Sequence, residues 1–318
     1  MHVLIPAGGR GLRLRPITNY RPKPLLPLGD RPILTHIVDG IPQDFAVTIV
    51  VTEELARDFC DWRDSLAADR KVQIYVEKPR HTGRGGPVTA ISEVLREHAI
   101  DDDLILMMGD SVLPFTIRDF LPETGSSHLK LAAYELPDIQ DASRFGVLEV
   151  TPGDTVASFV EKPAQPRSRL VFTGCLYVPQ AHLPALHQFA VSCSPEMGQI
   201  VIQFHQLGQQ IEVFRAAGEW HDIGTFRSYL AAHQCLVTPG DSQRLQAAAN
   251  EWSGCVYVDP RAHVERSVLR NCLIFGDARI TDATLTDCVV WPQVRIDSRT
   301  VENTLFAVDG EFAIGAGY

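Results

Sequence analysis

The chain has 318 residues, 45% hydrophobic and 21% charged, with a formal net charge of −10. That length can bury a large core and divide into two domains, and the acidity argues against a general nucleic-acid or membrane-surface binder while leaving room for a local cationic pocket. No apolar run reaches the roughly 18 residues that a spanning helix needs, and the seven scattered cysteines form no CxxC pair; this gives little support to a zinc or dithiol centre and makes a reduced cytoplasm the expected setting.

The opening "MHVLIPAGG" has no basic flank and reads as a buried strand rather than a leader. Directly behind it stands "AGGRGLRLRPITNYRPKPLLPLGD". Gly8, Gly9 and Gly11 can supply the unusual φ angles and close backbone approach of a phosphate cradle. Two common loops are excluded. The dinucleotide fingerprint needs a glycine where Leu14 stands, and the GxxxxGK[ST] loop is absent. Arg13 and Lys23 add cations, and Pro16, Pro22, Pro24 and Pro27 stiffen the segment by fixing φ. Two cations held near backbone N–H groups suit a polyphosphate. Arg10, Arg15 and Arg21 read as solvated surface charges.

Further apolar runs follow at "AVTIVVT", "VQIYVE" and "DLILMMGD". Between them, Leu55, Phe59, Trp62 and Leu66 share one helical face, and Val88, Ile91, Val94 and Leu95 share another. Strands alternating with helices predict an α/β fold with a mainly parallel, Rossmann-like sheet covered on both faces. Ligands bind such sheets outside the carboxyl ends of the strands. The first loop and "MMGDS" should both lie there.

Past residue 236 the texture changes. "TPGDSQ" reads as a linker over 237–250. After it, "NCLI" at 271–274 returns as "DCVV" at 287–290 and "NTLF" at 303–306. Leu269, Leu285 and Val301 keep the same sixteen-residue step, as do Val264, Ile280 and Ile296. A fixed period of short β-runs predicts a small, irregular parallel β-helix over 251–318; an ordinary antiparallel sheet is the alternative.

On these residues a resemblance can be stated. "GGRGLRLRPITNYRPKPLLPLGDRPIL" resembles the signature GxGxRLxPxTxxxPKPLLP of the sugar-1-phosphate nucleotidyltransferases, with Leu12 where that family usually has Thr. "GRGGPV" at 83–88 is similar to the family's GTAGPL, departing at Arg84 and Gly85. "MGD" ending at Asp110, "RFGVLEV" at 144–150, "VEKP" at 160–163, "FTGCLYV" at 172–178 and "WHDIGT" at 220–225 resemble the remaining blocks in order.

The resemblance implies a catalytic domain over 1–236 and a left-handed β-helix behind it. It implies transfer of a nucleoside monophosphate from an NTP to a sugar 1-phosphate, with pyrophosphate released. Arg13 and Lys23 would be the catalytic cations, and Asp110 and Asp222 the Mg²⁺ ligands. Gly8, Gly9, Gly11, Gly83 and Gly86 would contact the nucleotide. Gly146, Glu161, Lys162, Gly174 and Tyr177 would hold the sugar phosphate. Gly86-Pro87 leans toward guanylyl transfer, as with GTP and mannose 1-phosphate. Relatives using dTTP, UTP, CTP or ATP, and a silent NDP-sugar-binding subunit, are the alternatives. Self-association is common in such proteins. Plainer roles stay open at several positions: Asp110 in a turn, Asp222 capping the helix near Thr225, Glu161–Lys162 as a surface ion pair, and Tyr177 in the core.

Overall fold

The first apolar run lies in the middle of a sheet. A computed structural model describes residues 1–78, 87–98, 100–122, 127–192, 196–236 and 250–314. The chain divides into two compact units, Met1–Gly9 with Leu34–Trp220 and Arg10–Ile33 with His221–Tyr318.

The first unit contains β1 (His2–Pro6), β2 (Ala46–Val51), β3 (Val72–Val76), β4 (Leu104–Leu106), β5 (Leu129–Glu135), β6 (Gly146–Val150), β7 (Val156–Glu161), β8 (Leu170–Val178) and β9 (Ile211–Arg215). Strand β1 pairs parallel with β2 and β4, and β2 pairs parallel with β3. Val3, Leu4 and Ile5 are fully buried, as a strand covered on both faces requires. The order is β7-β6-β8-β4-β1-β2-β3, with β5 on β8 and β9 on β5. Strand β8 runs antiparallel to β4, β5 and β6. The expected parallel core therefore carries an antiparallel extension on one side.

Four helices of this unit are α1 (Ala56–Asp64), α2 (Pro87–His98), α3 (Leu183–Ser192) and α4 (Gly198–Gln206). The helical faces read from the sequence are buried in part. Phe59 and Trp62 of α1 lie in the interior, while Leu55 and Leu66 fall just outside the helix and are half-buried; Val88, Ile91, Val94 and Leu95 of α2 all lie in the interior. Each such side chain contributes about 1.5–3 kcal/mol by leaving water. The Trp62 indole keeps its hydrogen bond inside by donating to Thr35 Oγ1 at 2.9 Å.

The second unit contains α5 (Phe226–Leu236), then β10 (Glu251–Val258), β11 (His263–Glu265), β12 (Val268–Ile274), β13 (Arg279–Thr281), β14 (Thr284–Thr286), β15 (Val289–Val290), β16 (Arg295–Asp297), β17 (Thr300–Glu302), β18 (Thr304–Ala307) and β19 (Gly310–Ala313). The sixteen-residue step is the register itself. Leu269 pairs with Leu285 and Leu285 with Val301; Val264 pairs with Ile280 and Ile280 with Ile296; Ile274 pairs with Val290 and Val290 with Phe306. All these ladders are parallel, so each coil stacks like on like and the sheet curls into the expected β-helix. The corners explain the polar letters between the runs. Asn271, Asp287 and Asn303 turn one corner at φ 49, 52 and 48°, and Arg266, Asp282 and Ser298 turn another at φ 46, 50 and 51°. Asn and Asp tolerate this left-handed region better than most residues. Along the first corner, Asn271 donates to Asp287 Oδ1 at 3.0 Å and accepts from the Cys255 N–H at 3.1 Å. An antiparallel hairpin, β18–β19, ends the described stack.

Candidate functional site

Parallel strands end together, and the ends of β1 to β4 carry polar residues. Gly8 follows β1, Thr52 follows β2, Glu77 follows β3 and Asp110 lies beyond β4. The ends are close. A Cβ on Gly8 would sit 3.2 Å from Thr52 Cγ2 and 3.6 Å from Glu77 Oε1, while one on Gly9 would meet open space. Gly109 sets the approach of Asp110, since a Cβ there would lie 3.2 Å from Ala7 Cβ and 3.3 Å from the Pro6 carbonyl oxygen. Thr52 and Glu77 had no motif to mark them. Only the sheet register shows that they share this edge.

On the antiparallel side of the same unit, Gly146 pairs with Glu161 across β6 and β7. Their glycine–carboxylate contact belongs to a tight pocket. A Cβ on Gly146 would fall 2.3 Å from Phe159 Cζ, and one on Gly198 of α4 would fall 1.8 Å from Glu161 Oε2. Glu161 is thereby held between two backbones, its side chain 14% exposed. Burial and the charge of Glu196 push its carboxyl above the ordinary range, opposed by Lys162. Lys162 has φ 45°, and its ammonium donates to Glu196 Oε1 at 2.5 Å, with Glu161 Oε1 at 3.8 Å. Glu196 and Gly198 are thus members of this cluster that no sequence spacing marked.

Gly174 sits at φ 83°, where the register of β8 against β5 shifts, and a Cβ there would lie 2.6 Å from Met108 Cγ. Tyr177 does not join this group. Its phenol donates to Asp103 Oδ2 at 2.8 Å, and Asp103 precedes β4, at the opposite end of that strand from Asp110. Asp103 also accepts from the Gln180 N–H at 2.8 Å. Burial first, then this bond, raises the Tyr177 phenol above its ordinary value. Tyr177 is a core residue with a satisfied hydroxyl, and Asp103 is its partner.

The second unit carries the rest of the glycine loop. Gly11 lies at φ 56°, and a Cβ on it would stand 3.0 Å from both Lys23 Cβ and Thr18 Cγ2. Thr18 donates to the Gly11 carbonyl at 2.9 Å, locking the turn. Arg13 follows on an exposed 3-10 turn, Leu12–Leu14, and Lys23 opens another, Lys23–Leu25. Lys23 is 8% exposed. A lysine stem buried against a glycine holds its ammonium at one place.

Asp222 comes to Arg13 from far along the chain. A Cβ on Gly224 would lie 3.1 Å from an Arg13 guanidinium nitrogen and 3.2 Å from Asp222 Oδ2. The helix-capping role considered for Asp222 belongs elsewhere. The Gly224 and Thr225 N–H groups both donate to Ser228 Oγ at 3.0 Å, and the Ser228 N–H donates to Thr225 Oγ1 at 3.2 Å. Gly83 and Gly86 lie outside the described residues.

Comparison with known proteins follows the same residues. The profile of the family described as Nucleotidyl transferase matches residues 2–238. A glucose-1-phosphate thymidylyltransferase of Streptomyces griseus is 28% identical over 91% of this chain and 84% of its own length. A mannose-1-phosphate guanyltransferase beta-B of Xenopus laevis is 25% identical over 83% of this chain and 73% of its own. The fold matches a solved structure of a Bacillus anthracis protein in complex with a sucrose. Its TM-score is 0.64 at 24% identity, covering 76% of this chain and 97% of that one.

Proposed function

The chain belongs to the nucleotidyl transferase family, and on that premise we propose that it joins an NTP to a sugar 1-phosphate and releases pyrophosphate. The observation that carries this reading is the approach of the Arg13 guanidinium and the Asp222 carboxylate to the same side of Gly224. Residues 1–236 carry the transfer, 237–250 link, and 251–318 form the β-helix. An oxygen of the sugar phosphate attacks the α-phosphorus of the NTP. The new P–O bond forms as the bond to the β-phosphate bridging oxygen breaks, and that oxygen leaves with its electron pair on pyrophosphate. Such transfers need positioning and charge neutralisation more than covalent help. Arg13 binds the triphosphate and the departing pyrophosphate. Lys23 neutralises charge at the transferred phosphate. Asp110 and Asp222 offer the hard carboxylate oxygens that Mg²⁺ prefers, and would hold it; bound Mg²⁺ would neutralise phosphate oxygens.

Glu161 accepts from sugar hydroxyls and Lys162 meets the sugar phosphate. Two outcomes are expected here. The upward shift of Glu161 means that its protonated form favours the native state, so it adds stability at acid pH and loses that contribution as pH rises through its native pKa. Activity has the opposite sign, because the ionised form is the acceptor. The kcat/KM profile for the sugar phosphate should carry an acid limb above the ordinary value of 4.5, and that limb should vanish in Glu161→Gln. A limb unchanged in Glu161→Gln would assign the titration to another group. Gly198→Ala forces Glu161 aside and should raise the sugar-phosphate KM about tenfold with the NTP KM near wild type. Equal changes in both constants would contradict the pocket.

GTP with mannose 1-phosphate or a related sugar is the first assignment. dTTP with glucose 1-phosphate is the second, favoured by the Streptomyces griseus relative. Pyrophosphate release across a panel of NTPs and sugar 1-phosphates decides between them. Binding of NDP-sugars with no release from any pair would favour a silent regulatory subunit.

A further inference from the structure

The glycine loop and the β-helix belong to one compact unit, although most of the chain separates them. Two contacts join them on either side of Lys23. On one side, Tyr229 of α5 is fully buried, and its phenol donates to the Pro27 carbonyl. The same ring stacks on Phe275 at 6.4 Å and 27°, and Phe275 meets Trp291 edge-on at 5.5 Å, so the contact continues into successive coils. On the other side, the Tyr20 phenol faces Asp309, which raises it above its ordinary value and lies between β18 and β19 of the terminal hairpin. A cavity of about 570 Å³, bounded by Arg15, Pro16 and Asn19 and by Phe226, Leu305 and Phe312, opens beside these contacts. The segment from Pro22 to Leu26 is itself buried, so these contacts fix the place of a packed piece of chain. Between the anchors at 20 and 27, Pro22, Pro24 and Pro27 fix three φ angles. A segment this stiff moves as a piece, and Lys23 moves with it.

We infer that the β-helix positions Lys23 for the transfer, with Tyr229 and Tyr20 as its positioning residues. The inference rests on the role of Lys23 given above. The hydroxyls are the critical atoms. Losing either lets the proline-stiffened segment shift, and a shift of about 1 Å at a charge-neutralising group can cost up to 10²-fold in rate.

The test is a set of double-variant cycles in the full-length protein, with kcat measured for Tyr229→Phe, Tyr20→Phe and Asp309→Asn, each alone and combined with Lys23→Met. Tyr229→Phe is expected to lower kcat about tenfold and leave the NTP KM within twofold. Tyr20→Phe and Asp309→Asn, on the surface, are expected to lower it about threefold. Combined with Lys23→Met, each is expected to cost less than twofold more, because the group it positions is gone. Equal fold-losses in both backgrounds would make the role structural and overturn the inference, as would wild-type turnover in Tyr229→Phe and Tyr20→Phe. If Tyr229→Phe does not fold, the Tyr20 and Asp309 cycles decide alone, since Tyr20 is 44% exposed. Wild-type turnover in Lys23→Met itself would remove the underlying reading of Lys23 and this inference with it. An inactive Lys23→Met beside normal tyrosine variants would remove this inference only.

Discussion

Arg13→Ala and Lys23→Met should each lower turnover about 10²–10³-fold while the protein stays folded. Two anions must meet, and negative charge gathers on the transferred phosphate, so a fixed cation is worth most at the moment of transfer. Arg13 lies on an exposed turn, and its removal costs the fold little, of order 0.5 kcal/mol. Lys23 needs a gentler change. Its stem packs against Gly11 and Thr18, so methionine keeps the stem and removes only the ammonium. Steady-state kinetics beside thermal melts checks both. Near-wild-type kcat in a folded variant would take that residue out of the mechanism.

The second large effect belongs to the carboxylates. Asp110→Asn and Asp222→Asn keep shape and remove charge, and each should cut kcat/KM by at least about 10²-fold and raise the Mg²⁺ concentration needed for half-maximal rate. Chelating the metal should abolish turnover of the wild type, and added Mg²⁺ should restore it. The start of α5 should survive Asp222→Asn, because Thr225 and Ser228 cap it. A large loss of melting temperature in Asp222→Asn would instead make that carboxylate structural. Unchanged Mg²⁺ dependence in either variant would remove that aspartate from the metal site.

Periodic features were legible in the sequence. The step from Leu269 to Leu285 to Val301 is a repeat in the chain and a ladder in space, because a parallel coil puts equivalent residues in register. Phe59 and Trp62 announced their helix face by spacing alone. The glycine loop was legible because Gly11, Arg13 and Lys23 are close in sequence. Features made by tertiary approach were not. Nothing local marks Gly198, whose role is to leave room for Glu161 from another element. For Tyr177 the sequence left pocket and core both open, because the bond of its hydroxyl to Asp103 forms across the sheet. The antiparallel direction of β8 follows from connections whose geometry no pattern of apolar residues encodes. The contact of the glycine loop with α5, Tyr229 donating to the Pro27 carbonyl, leaves no trace in either segment.

The most direct measurement follows the α-phosphorus. The protein is incubated with Mg²⁺, a sugar 1-phosphate and each NTP labelled at the α-phosphate, and the products are separated. With one matched pair the label is expected in a sugar nucleotide, in amount equal to the pyrophosphate released. Label remaining in every NTP, with folded protein and every sugar 1-phosphate of the panel, would contradict it.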